Sequence, residues 1–250
     1  QKDGQDLTAD VALQAANIGA QWGTNRFQAA QLALQARGHL EQFQKLHLDP
    51  CRIEVKDAAG DLLASQGAFD FDRRNGNLRL RASLELDLPA ALRQYPIPQL
   101  SIGAGAFKWN GLVSREKQAL SIVGSLSLTD FTGRYADLAF DRYQALLNCD
   151  LELKEDRLRI QRAHLDAREG FEAGGTADVN GVYDLTHRSL QIAFSSVALN
   201  HHLFGPFLQP YLSPYRLTLD GLHSSGQLSY DPAGTSSVQG EFRCAGLQIQ

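Results

Sequence analysis

The sequence predicts a mainly β protein. The expected form is a long curled antiparallel sheet, bent into a groove or trough of repeated strand-turn-strand units, with one or two short helices. A β-sandwich is the alternative. Three observations carry this expectation. Apolar residues alternate with polar ones at a period of two along most of the chain, turn-forming clusters separate the alternating runs, and only two stretches read as helical.

The strongest run is "LRLRASLELDL". Leu78, Leu80, Ala82, Leu84, Leu86 and Leu88 share one parity, and Arg79, Arg81, Ser83, Glu85 and Asp87 the other. Successive side chains of a strand point to opposite faces, so this strand has one apolar and one wet face. Weaker runs precede it at Val11, Leu13 and Ala15, at Ala30, Leu32, Leu34 and Ala36, and at Cys51, Ile53 and Val55. Later runs are Leu120, Ile122, Leu126 and Leu128, then Tyr143, Ala145, Leu147, Cys149, Leu151 and Leu153. They continue through Leu190, Ile192 and Phe194, Leu217 and Leu219, and Val238, Phe242 and Cys244. Turns are expected at "DAAGD" (57–61), "RRNGN" (73–77), "KED" (154–156), "DVNG" (178–181) and "DPAG" (231–234). Helix is expected at "LPAALRQYP" (88–96), with proline near its start and Pro96 as its stop, and as one or two turns within "NHHLFGPFLQPYL" (200–212).

The whole chain, 1–250, reads as a single repetitive β domain and as a fragment of a larger protein. Units that open on a glycine and run out as a strand begin at Gly67, Gly124, Gly175 and Gly226, spaced 57, 51 and 51 residues apart. The runs amount to about 15 strands, more than an open twisted sheet usually holds before it curls or splits. Leaving the apolar face in water would forfeit roughly 8–15 kcal/mol for the Leu78–Leu88 strand alone. A sandwich, a barrel or a trough would each close it.

Composition narrows the function. With 24 Lys+Arg against 28 Asp+Glu the net charge is -4, and nothing favours nucleic acid as a partner. The longest run without charged residues, Ser189–Tyr215, is broken by Pro206, Pro210 and Pro214 and does not read as a membrane-spanning helix. Three cysteines make no disulfide framework, and Cys149 and Cys244 read as small buried hydrophobes. The chain contains no methionine, which reads as an excised or processed piece.

No catalytic pattern emerges, and the expectation is a protein that is not an enzyme and carries no cofactor or metal. "GAGAF" lacks the Lys-Ser/Thr and following helix of a phosphate loop. There is no Gly-x-Ser-x-Gly elbow and no Cys-x-x-Cys. His201 and His202, adjacent on a strand, would point apart and chelate poorly. Trp22 and Trp109 read as strand-end residues over glycine turns, with sugar stacking or a headgroup zone as the less favoured alternatives.

The units "AGGTADVNGVYDLTHRSLQIAFSSVALN", "VGSLSLTDFTGRYADLAFDRY" and "CDLELKEDRLRIQRAHLDAREGFEAGG", with "LPAAL" as a short helix between strands, resemble the repeating β segments of AsmA-like and TamB-like envelope proteins. The likeness covers about residues 60–250 and rests on texture, not on an invariant motif. It implies a parent anchored in the inner membrane of Gram-negative bacteria, a body crossing the periplasm, and a trough along which phospholipid acyl chains slide toward the outer membrane. It also implies membrane attachment through parts of the parent absent here, and no catalytic residues. The candidate lipid-groove residues are Leu78, Leu80, Leu84, Leu86, Leu88, Leu120, Ile122, Leu126, Leu128, Leu147, Leu151, Leu153, Leu190, Ile192 and Phe194. Two functions stay open at this point: lipid binding in an open trough, or a structural or interaction domain whose apolar face is a filled core.

Overall fold

A computed structural model describes residues 6–22, 25–203, 205, 207, 215, 217–232, 234 and 236–249. Its strands are β1 (Leu7–Trp22), β2 (Asn25–Glu41), β3 (Lys45–Asp57), β4 (Gly60–Asp72), β5 (Asn77–Asp87), β6 (Leu100–Glu116), β7 (Ala119–Tyr135) and β8 (Leu138–Lys154). They continue as β9 (Arg157–Glu169), β10 (Glu172–Asp184), β11 (Ser189–Leu199), β12 (Leu217–Thr218), β13 (Gly221–Tyr230), β14 (Ser237–Ala245) and β15 (Gln248–Ile249). Helix α1 (Leu88–Gln94) follows β5, and a second helical segment, α2, occupies residues 201–203, 205 and 207 after β11.

Thirteen strands form one curled antiparallel sheet in chain order, β1 through β11 and then β13 and β14, with β1 and β14 at its edges among the described residues. The remaining pair, β12 with β15, is two residues long on each side. The alternation therefore folds as a meander, and neither the sandwich nor a barrel forms among the described residues. Tight hairpins enforce this order. Between β8 and β9 only Glu155 and Asp156 intervene, both at left-handed φ (48° and 60°), the geometry that matches the strand twist in a two-residue loop.

Several local expectations are corrected. The run to Leu88 leaves the sheet one residue early, because the Asp87 carboxylate accepts the Ala90 amide at 2.7 Å and caps α1. "DVNG" is no turn: it lies inside β10, where the register shifts at Asp178/Val179 as a bulge and not as a reversal. Ala29, not Ala30, is buried on β2, because Asn17 at positive φ interrupts the pairing opposite and changes the face.

The repeat is also longer than the glycine spacing implied. Lys45 to Arg157, Gly60 to Glu172 and Asn77 to Ser189, the first residues of β3 and β9, β4 and β10, and β5 and β11, are each 112 residues apart. Asn25 to Leu138, which open β2 and β8, and Asp87 to Asn200, which precede the two helices, are 113 apart. The lengths agree strand by strand: 17, 13, 13 and 11 residues for β2 to β5, and again for β8 to β11. Thus β1–α1 corresponds to β7–α2, and β6 and β7 correspond to β13 and β14.

Candidate functional site

The apolar parity of every strand falls on one face of the sheet, and the pairing register sorts it into five cross-strand rows. The outermost row runs Leu40, Leu46, Phe71, Leu78, Arg115, Leu120, Leu153, Leu158, Tyr183, Leu190 and Tyr230. The next carries Leu48, Phe69, Leu80, Val113, Ile122, Leu151, Ile160, Gly181, Ile192 and Leu228. Beyond the central row, a fourth contains Leu34, Ile53, Leu84, Trp109, Leu126, Leu147 and Leu165, and a fifth Leu32, Val55, Leu63, Leu86, Phe107 and Leu128.

The central row is different. It reads Ala36, Cys51, Gly67, Ala82, Gly111, Gly124, Cys149, Ala163, Val179, Phe194, Gly226 and Gly240. Its paired glycines mark a line where adjacent backbones come too close for side chains. A Cβ on Gly111 would stand 2.6 Å from the Val123 carbonyl oxygen, and one on Gly226 2.2 Å from that of Gln239. Glycine kinks of this kind let a sheet bend sharply. Gly67, Gly124 and Gly226, singled out as unit starts, share this row, whereas Gly175 lies in the fifth row beside Ala167 and Leu199.

Of the fifteen groove candidates, fourteen lie in these rows, and all fifteen are half-buried. Leu88 is displaced onto α1, at the end of the face. The sequence reading missed Phe69 and Phe71, although "AFDFD" alternates plainly, and also Leu158, Ile160 and Leu165. A bulge beside Asp150 and Leu151 changes the parity within β9 and breaks the alternation that would have revealed them. Trp109 is not a strand-end residue. It stands mid-strand in β6, with its ring 3.0 Å from where a Gly111 Cβ would be. The side chain of Trp22 lies outside the described residues.

Both helices sit at the same rim. α1 buries Ala90 completely against Ala29, Val55 and Leu62. Arg93, in its last turn, donates from Nη2 at 2.8 Å and Nε at 3.1 Å to one oxygen of the buried Asp57 carboxylate. The other oxygen accepts the Ala59 and Gly60 amides at 2.8 and 3.0 Å. Burial works against this charge, but Arg93 and the two amides outweigh it and hold the carboxyl below its ordinary range. At α2, Asn200 accepts the His202 amide at 3.0 Å, and the Tyr143 hydroxyl donates to the His202 carbonyl oxygen. Burial, with Glu169 nearby, pushes the Tyr143 phenol well above its usual value. Phe131, Phe140 and Tyr143 form a cluster of ring contacts that Phe207 of α2 joins through Phe140, with centroids 5.4–5.7 Å apart.

The opposite face is polar and crossed by pairs such as Lys108 Nζ to Glu85 at 2.9 Å and His164 Nδ1 to Asp178 at 2.8 Å. His201 and His202 lie on a helical segment and not on a strand. Their rings stack at 4.2 Å and are engaged separately, by the Leu219 carbonyl and by Glu169, each at 3.0 Å. Among the described residues no three His, Cys, Asp or Glu side chains gather as a metal site. Cys51, Cys149 and Cys244 are free; Cys149 is buried, whereas Cys244, expected inside, is exposed because β14 pairs with β13 alone among the described strands. No described helix is long and apolar enough to cross a membrane. Comparison with protein-family models, with curated proteins and with solved structures finds no match.

Proposed function

We propose that the apolar face binds phospholipid acyl chains and lets them move along it, as the AsmA-like and TamB-like resemblance implies for a periplasmic segment of an inner-membrane-anchored parent. The observation that carries this reading is exposure. A compact protein of 27.5 kDa would expose roughly 11,000 Å². This chain exposes 16638 Å², and among the described residues no large side chain is fully buried. A filled core of this length would hold many that are.

Dimensions support the same reading. Thirteen strands at ~4.8 Å give a face roughly 58 Å long, and five rows two residues apart make it roughly 27 Å wide. An acyl chain reaches across half a bilayer core, ~15 Å, so several fit side by side. Alternating Leu, Ile, Val, Ala and Phe offer a non-directional surface on which neighbouring positions bind alike, as sliding requires. No catalytic step is part of the proposal.

Lipid extraction and mass spectrometry of the purified protein test it. Phospholipid is expected to co-purify, and a fluorescent acyl probe should bind the delipidated protein saturably. Absence of both lipid and probe binding in protein whose circular dichroism is that of β-sheet would overturn the reading.

A further inference from the structure

Among the described residues β14 is the last strand of the sheet, and the 112–113-residue repeat contains a finished copy of the same edge. The pairings Leu228 with Val238, Gly226 with Gly240 and Ser224 with Phe242 repeat those of Val113 with Ile122, Gly111 with Gly124 and Trp109 with Leu126. In the finished copy β7 carries β8 on its far side, so that Ile122 faces Leu151, Gly124 faces Cys149 and Leu126 faces Leu147. Ile122 and Leu126 are half-buried there. Their counterparts Val238 and Phe242 are 58% and 61% exposed.

We propose that the free edge of β14 is a docking site for one further β-strand, supplied by a polypeptide that carries the β8 pattern. That pattern is apolar residues at alternate positions with a small residue, Ala or Cys in this chain, opposite Gly240. Main-chain hydrogen bonds provide the affinity and the alternate side chains the register, as in strand addition generally. The small central residue follows from the finished copy: Gly124, the counterpart of Gly240, faces Cys149 on β8, and the equivalent position of β2 is Ala36. An unprotected edge with exposed apolar residues takes strands readily. The proposal does not depend on what occupies the apolar face.

A synthetic peptide of residues 138–154 is the probe, titrated as a labelled strand into the protein and followed by anisotropy and by hydrogen exchange. Saturable binding with new protection at residues 237–245 is expected. Phe242→Glu should weaken it by at least about tenfold, since a charge on an edge strand blocks pairing, and Asn148→Pro in the peptide should do the same by breaking the strand. Leu13→Glu on β1, the opposite edge, should leave binding unchanged, because β1 corresponds to β7 and its open side matches β6 and not β8. Absence of binding, protection at β1 instead, or a dimer of the chain through β14 that the peptide cannot displace would each overturn the proposal.

Discussion

Trp109 and Phe194 do the same job from different strands. The Trp109 ring, on β6, stands 3.0 Å from where a Cβ of Gly111 would be, and the Phe194 ring, on β11, stands 3.0 Å from that of Gly226. In the first copy the residue opposite Gly111 is Ala82 and the aromatic is on the glycine's own strand. In the second the aromatic is opposite Gly226, and Ser224 takes the place of Trp109. Large and small have exchanged positions while the space over the glycines stays filled, the compensation expected of close packing.

Trp109→Ala and Phe194→Ala should each destabilise the protein by about 2 kcal/mol, below the range for fully buried aromatics because both are half-buried. The sites share no partner, so the double variant should be additive to within ~0.5 kcal/mol. Urea denaturation of the three variants checks this.

Gly124→Val should cost at least about 2 kcal/mol, because its Cβ would stand 2.7 Å from the Asn110 oxygen and 2.9 Å from the Gly111 Cα, both backbone atoms. Gly19→Val, where nothing lies within 4 Å, should stay within ~0.5 kcal/mol. Similar losses for both would mean that the glycine line is no close approach.

Leu84→Asp should lower stability by about 2 kcal/mol, as it puts a charge between Ser65 and Trp109 on the apolar face. Glu85→Lys exchanges an exposed pair with Lys108 for a like-charge contact and should cost no more than ~1 kcal/mol. Acyl-probe binding should fall with the first and persist with the second.

Acid should loosen α1. The Asp57 carboxyl is held below its ordinary value in the folded chain. Its contribution is therefore complete above the unfolded value, near pH 4, and is lost as pH falls through the lower folded one. The melting temperatures of the native protein and Asp57→Asn should differ at pH 6 and converge toward pH 2. A constant difference across that range would exclude the carboxylate as the cause.

Thiol labelling of the native protein should proceed in the order Cys244, Cys51, Cys149, from exposed to buried, with burial and Asp150 raising the Cys149 thiol. All three should react once the chain is denatured without reductant. Cys51 and Cys149, although in one row, are on β3 and β8, five strands or roughly 24 Å apart, too far to bridge.

Much of this architecture was legible because a strand writes its two faces into alternate positions. Leu78 to Leu86 and Leu120 to Leu128 were read correctly for that reason. Ala29 and Leu165 were not, since a bulge or an irregular pair shifts the parity and leaves no sign in the local pattern. The glycine spacing implies a shorter repeat than the strands show. Gly67, Gly124 and Gly226 stand on the central row and Gly175 on the fifth, so glycine spacing mixes two lines of close approach, and strand lengths and helix caps report the unit. The row partnerships of Trp109 and Phe194 depend on pairing across strands distant in the sequence, which one strand's pattern does not encode.

Six strands, β6 to β11, separate α1 from α2, and six is even. In a meander each strand reverses the chain, so an even count returns it to the side from which it left. Among the described residues one long side of the sheet thereby receives both helices, and the other receives hairpins alone. Gaining or losing a single strand between helices would send the next helix to the opposite long side. Span in such a protein can therefore grow only in steps of whole units, roughly 29 Å for six strands, and parity, more than length, is what a viable insertion has to respect.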